Sequence, residues 1–153
     1  MSRYDKFYTY LCELHSSHLR LIDLLKNKLV AISDSDLDTL DDTIKEEQVY
    51  VLASKSFENN IARYRRELSL SGDKLSEIIP NMPDDEQGRF FEIFENLESG
   101  LSLANELNQK CQTLLESKLY SINKSLRELE NKSPSTYSKL GSDKSGNLLT
   151  KSV

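Results

Sequence analysis

After Pro83 the apolar residues of this chain keep helical spacing as far as Lys132. Phe94, Leu97, Leu101, Ala104, Asn108, Cys111, Leu115, Ile122 and Leu129 follow one another in steps of three, four or seven. A segment with that period is an amphipathic helix, and at 1.5 Å per residue it would be about 70 Å long. The two periodic segments before it would measure only about 45 and 52 Å. Three helices of such unequal length cannot pack end to end in an up-down-up bundle. The third must either break near Gly88 or Gly100 or carry its last turns past the others. Projecting turns would expose Leu119, Ile122, Leu126 and Leu129 with no partner inside the chain.

The first helix is predicted from Tyr4 to Ile32. Its seam reads Tyr4, Phe7, Leu11, Leu14, His18, Leu21, Leu25 and Ile32, with a gap at Lys28. Ser33, Asp34, Ser35 and Asp36 then supply capping side chains for the next helix. That helix carries Leu37, Leu40, Ile44, Val51, Phe57, Ile61, Tyr64 and Leu68, and Asp38, Asp41, Asp42, Glu46 and Glu47 crowd its first turns, where the helix dipole favours carboxylates. Gly72 is the expected C-cap, and the run Lys74–Ile79 adds a turn or two before Pro80 and Pro83. The third helix is predicted to start at Asp84, with Gln87 three residues on as in a capping box. The expected fold is an elongated, all-α antiparallel bundle of three helices, or four. Its domain covers residues 1–132, and 133–153, rich in Ser, Lys, Gly and Thr without apolar period, is expected to be a flexible tail.

Charge and cysteine content narrow the function classes. A net charge of −5 disfavours a nucleic-acid ligand, which is held chiefly by Lys and Arg displacing counterions. The charge is uneven: four lysines against Asp143 give residues 132–153 a net +3, leaving −8 on the rest. Cys12 and Cys111 both fall within helical patterns and read as reduced core thiols, as in a cytoplasmic protein. No basic leader with an apolar run, and no stretch of about 18 apolar residues, points to secretion or a membrane span.

Catalytic patterns are missing. The sequence has no Gly-rich phosphate loop, no His-Glu-x-x-His, no Cys-x-x-Cys and no Glu-x-x-His, so neither an enzyme nor a cofactor is expected. Cys12, His15 and His18 recur every three residues but spread around the helix, and no fourth ligand stands near them, so no metal is expected. His18 is the one candidate for a phosphotransfer nucleophile. Leu21 and Ile22, one turn on, offer neither a cation nor space for a phosphoryl group. Asn108 takes a seam position where an apolar residue is expected, and Asn105 stands one turn before it. A buried amide there would either set the register between helices or bind the backbone of a partner in a groove.

Taken together, these features resemble the FlgN-type flagellar export chaperone family over residues 1–141. The resemblance rests on two amphipathic helices with an acidic start to the second. It rests also on the Asn105-Glu-Leu-Asn108 segment followed by Leu114, Leu115, Leu119, Ile122, Leu126 and Leu129, and on Tyr137 leading into Gly141. Family members often end in Tyr-Gly-x-x-Gly; here Ser138 replaces the first glycine. The resemblance implies a cytoplasmic chaperone that holds the C-terminal helical segments of hook-associated proteins until the flagellar export apparatus takes them. Its expected partner-binding residues are Asn105, Asn108, Leu115, Leu119, Ile122, Leu126 and Leu129, with a client helix laid along them. A histidine phosphotransfer bundle and a self-associating coiled-coil scaffold are the alternatives, and oligomeric state stays open.

Overall fold

A computed structural model describes residues 2–131, and among them all regular secondary structure is helical. Helix α1 spans Asp5–Ser33, α2 Leu37–Lys55, α3 Phe57–Glu67 and α4 Leu75–Ile78; a 3-10 turn at Ile79–Asn81 leads to α5, Asp84–Glu130. The expected all-α bundle is present. The tail reading for 133–153, including Tyr137 and Gly141, falls outside the described residues.

Helices α1 and α5 run parallel along most of α1, as the first and last helices of an up-down-up bundle do. Tyr8 meets Phe90 edge-on, His18 faces Gly100, the Cys111 Sγ lies 3.6 Å from the Leu25 carbonyl, and Lys118 reaches the Ser33 carbonyl at 2.7 Å. One core cluster sits at the start of α1, where Phe7 stacks on Tyr64 at 5.0 Å and packs on Phe90 at 5.4 Å. Leu75, Ile78 and Ile79, wholly buried, cap that end. A second cluster joins Leu21, Ile22, Leu24 and Leu25 to Ala104 and Leu107. Each such side chain contributes roughly 1.5–3 kcal/mol by leaving water, so these clusters hold the helix pair together.

The first helix matches its expected bounds, and its seam is buried apart from the half-buried Leu14. The gap at Lys28 has a cause. Its Nζ meets both carboxylate oxygens of Glu47, at 3.1 and 3.2 Å, with 14% of the lysine side chain and 7% of the glutamate side chain exposed. The seam of α2 and α3 is accordingly not the expected one. It runs Leu40, Thr43, Glu47, Tyr50, Ser54, Phe57, Ile61, Tyr64 and Leu68, in strict alternation of three and four, while Leu37 and Ile44 are exposed. Polar residues occupy three of these inward positions, which hides the stripe from an apolar count. The expected single second helix is also interrupted at Ser56. Its hydroxyl donates to the Ala53 carbonyl at 2.9 Å, a side-chain bond that competes with helix continuation.

Three helix ends differ from expectation. Gly72 does not cap α3. Ser69, at φ 55°, does so with the Leu70 amide donating to Arg65 and its own amide to Arg66, the paired bonds of a Schellman ending. Ser35 closes α1 in the same way, with Asp36 donating to Ala31. Gly72, at φ 114°, instead turns the chain tightly against Glu77, whose backbone carbon would lie 2.9 Å from a Cβ at position 72. At α5 no capping box forms, because Asp84 is already helical and Pro83 takes the cap position. Gln87 donates to the carbonyls of Met82, at 2.8 Å, and Pro80, at 3.2 Å, and so ties the helix to the turn before it.

Helix α5 passes Gly88 and Gly100 unbroken, 47 residues and about 70 Å long. Its buried seam is Glu86, Phe90, Ile93, Leu97, Gly100, Ala104, Leu107 and Cys111. Asn108 therefore stands beside the seam and is half-buried; the inward position expected for it belongs to Leu107, one residue or 100° away. A Cβ at position 88 would meet nothing within 4 Å.

Two outcomes follow for stability, both read by urea denaturation. Glu47→Ala strands a largely buried ammonium and should cost about 3 kcal/mol, whereas Lys28→Leu with Glu47→Leu should come within about 1 kcal/mol of the parent. Equal losses in the two variants would show that the pair is not buried. Gly88→Ala should stabilise by roughly 0.5–1 kcal/mol, because α5 is a continuous helix with open space there; a loss would place a break or a neighbour at that position.

Candidate functional site

The level at which α1 ends is fixed by Lys118. Its Nζ binds the Ser33 carbonyl and the Ser35 hydroxyl, each at 2.7 Å, so the α1–α2 loop is pinned to α5 at this point. Residues Leu119–Glu130 then continue for about 18 Å beyond it. No described residue of α5 after Cys111 is buried. Of the expected contact residues, Leu115, Leu119 and Leu126 are half-buried, while Ile122 is 50% and Leu129 61% exposed. Leu115, Ile122 and Leu129 recur every seven residues, with Leu119 and Leu126 beside them at four, so all five share one side of the helix. Tyr120 is 68% exposed on another side.

Asn105 and Asn108 lie farther back, level with the packed part of α5, and both are half-buried. The structure thus separates the expected set into an amide pair beside the second core cluster and an apolar stripe on the projecting turns. Lys118, which sets the boundary between the two, was missed by sequence reasoning because its role depends on a contact with backbone 85 positions away.

The histidines form a different kind of place. A Cβ at Gly100 would lie 3.8 Å from the His18 Nδ1 and 4.0 Å from that of His15, so both rings face the gap the glycine leaves. Neither Nδ1 has a hydrogen-bond partner. Only 8% of His18 is exposed. Burial, and secondarily the charge of His15, pushes the His18 pKa down to about 4. A neutral imidazole wedged against a helix has no room for a phosphoryl group on its ring. Burial likewise raises the Cys111 thiol, so it stays protonated. Among the described residues no group of three or more His, Cys, Asp or Glu is placed to hold a metal ion, and no helix is long and apolar enough to cross a membrane.

The family model described as FlgN protein matches residues 1–145, nearly the whole chain. The chain belongs to the FlgN family. That family consists of flagellar export chaperones and not enzymes. The match extends past α5 to include Tyr137 and Gly141. Comparisons with curated proteins and with solved structures found no match. For a FlgN-family chaperone the relevant surface is one that receives another chain, and among the described residues the turns of α5 beyond Lys118 carry apolar side chains that are half-buried or exposed.

The buried neutral His18 sets a pH dependence. Its folded pKa lies below the unfolded value of about 6.5, so the unfolded chain binds the proton first. The stabilisation it permits is complete above about pH 6.5 and is lost as pH falls towards 4. Against His18→Leu, the native chain should lose on the order of 2–3 kcal/mol across that interval in chemical denaturation at a series of pH values. Parallel pH profiles would mean that His18 titrates normally.

Proposed function

We infer that this chain is a cytoplasmic chaperone that holds the C-terminal helical segments of hook-associated proteins and keeps them from assembling early. One observation carries this reading: α5 continues past the level where α1 ends, with Leu115, Leu119, Ile122, Leu126 and Leu129 on one side. An amphipathic client helix laid along this side would cover its leucines and isoleucine and form with α5 the two-helix packing that α1 supplies lower down. Membership of a family of flagellar export chaperones supports this class of client. Asn105 and Asn108 would receive the end of a client that extends down the flank of α5. Their amides can bond backbone groups that a client helix leaves unsatisfied at its terminus.

Holding by this means needs no nucleotide. The stripe is short, and an association of modest area must also offset lost translational and side-chain freedom, so release to the export apparatus stays accessible. Burial of His18 against Gly100 removes the basis for the phosphotransfer alternative.

The test is calorimetric titration of the chain with peptides from the C-termini of hook-associated proteins. Ile122→Asp should weaken binding by about tenfold or more, since it loses roughly 1.5–3 kcal/mol of apolar burial and adds a charge to desolvate. Tyr120→Ser, on another side of the same turn, should leave affinity unchanged. Binding that ignores Ile122→Asp would overturn the assigned face. Helicity that rises with protein concentration, in a chain that binds no client, would favour the self-associating scaffold.

A further inference from the structure

Lys118 fixes the direction in which the projecting stripe faces. Its ammonium reaches the Ser33 carbonyl, so its side of α5 looks onto the end of α1. Leu115 stands three residues before it and Ile122 four after, so both share that side, and Leu129 follows one heptad beyond Ile122. The stripe therefore faces the space directly beyond the last residue of α1. A helix packed on it would lie in line with α1 and meet the α1–α2 loop with one of its ends. Residues 119–130 offer it about 18 Å, a little over three turns.

That loop and the α2 turns after it are strongly negative. Asp34, Asp36, Asp38, Asp41 and Asp42 are all exposed, and no Lys or Arg stands among residues 34–42. Lys45 pairs with Asp41 at 2.9 Å, and Lys118 is held by Ser33 and Ser35. The negative pole of α1 ends here with no basic residue in its last turn, while the positive pole of α2 is answered by its own Asp36 cap and Asp38. At the far end of the stripe the charges balance, Lys124 and Arg127 against Glu128 and Glu130. Every helix carries its positive pole at its N-terminus, so the loop attracts the first turn of an incoming helix and repels the last. It also disfavours a second copy of this chain laid antiparallel on the stripe, whose own α5 would bring a negative C-terminal pole against these aspartates.

We propose that the client helix lies parallel to α5 as a continuation of α1, with a first turn bearing Lys or Arg seated on the aspartates of residues 34–42. This deepens the function inferred above and rests on it. The apolar stripe holds the client, and the acidic seat sets its direction and register. A helix entering the other way round would set its C-terminal carbonyls against carboxylates; a cationic first turn meets them with opposite charge. The seat is exposed to solvent, so its share of the affinity falls as salt rises.

The direction is tested in the full chain bound to a peptide from the C-terminus of a hook-associated protein that carries a nitroxide at one end of its helical stretch. A label at the N-terminal end should broaden the amides of residues 33–38 most, and a label at the C-terminal end those of residues 127–131. The reverse pattern would overturn the direction and leave the client reading standing, whereas a peptide that does not bind at all would remove the client reading and the direction with it. Broadening centred on neither set would contradict the seat. Asp34→Asn with Asp38→Asn should weaken binding about three- to tenfold in 50 mM salt and less than about twofold in 500 mM. Asp85→Asn, at the start of α5, should change neither. Unaltered affinity of the double variant at low salt would sink the acidic seat. Amides of residues 119–130 that shift with protein concentration before peptide is added would give the stripe to a second copy and overturn the proposal.

Discussion

The packing of α1 against α5 is the constraint from which the rest of the molecule follows. It joins a 29-residue helix to a 47-residue one; full burial on α5 ends at Cys111, two turns before Lys118 meets the end of α1. Up to Cys111 every turn of α5 puts a side chain into one of the two cores or against the histidines. Beyond Lys118 the same apolar repeat continues without α1 beside it. In the proposed function, stability and client binding therefore share one helix and one pattern, divided by where α1 stops.

The polar groups inside the bundle are compatible with this because each has an identifiable arrangement. Lys28 and Glu47 neutralise each other where α2 crosses α1, and Thr43 donates its hydroxyl to the Leu40 carbonyl. His18 stays neutral in the space that Gly100 leaves. At the other end, Arg89 bonds Asp5 and Glu86 at 2.8 Å each and lies over the Tyr8 ring, joining the start of α1 to the first turns of α5. A pair of amphipathic helices packed side by side can slide by a turn at little apolar cost. Such specific polar meetings make a shifted register costly, since each would strand a charge or an amide.

The parts of this arrangement legible in the sequence were those written in unbroken apolar period. The bounds of α1, the start of α5 after Pro83 and its excess length all follow from spacing and proline position. The inward faces of α2 and α5 were harder to read. Glu47 and Thr43 take inward positions because partners on other elements or on the backbone satisfy them, and Gly100 takes one because the histidines need the room. An apolar count skips all three and slides onto Ile44, Leu101 and Asn108. The serines that end α1 and α3 in left-handed geometry escaped for a similar reason: glycine is the usual sign of that conformation, and Gly72, where it was expected, serves a different turn. The projecting stripe itself was legible residue by residue, whereas the Lys118 clamp that marks its foot is a tertiary fact.

The clamp has a consequence for how the projecting turns exist at all. Twelve residues are too few to hold a helix in water by themselves, since nucleation is unfavourable and only propagation adds stability. Leu119–Glu130 are helical because they continue turns already fixed below them. Their order is inherited through the backbone hydrogen bonds that cross the level of Lys118. A partner arriving there meets a ridge already in shape and loses less freedom than it would by ordering both strands of the contact. The same dependence makes the segment between Cys111 and Lys118 a single point of failure: unwinding a turn there would dissolve the ridge while leaving its leucines and isoleucine unaltered and both cores intact.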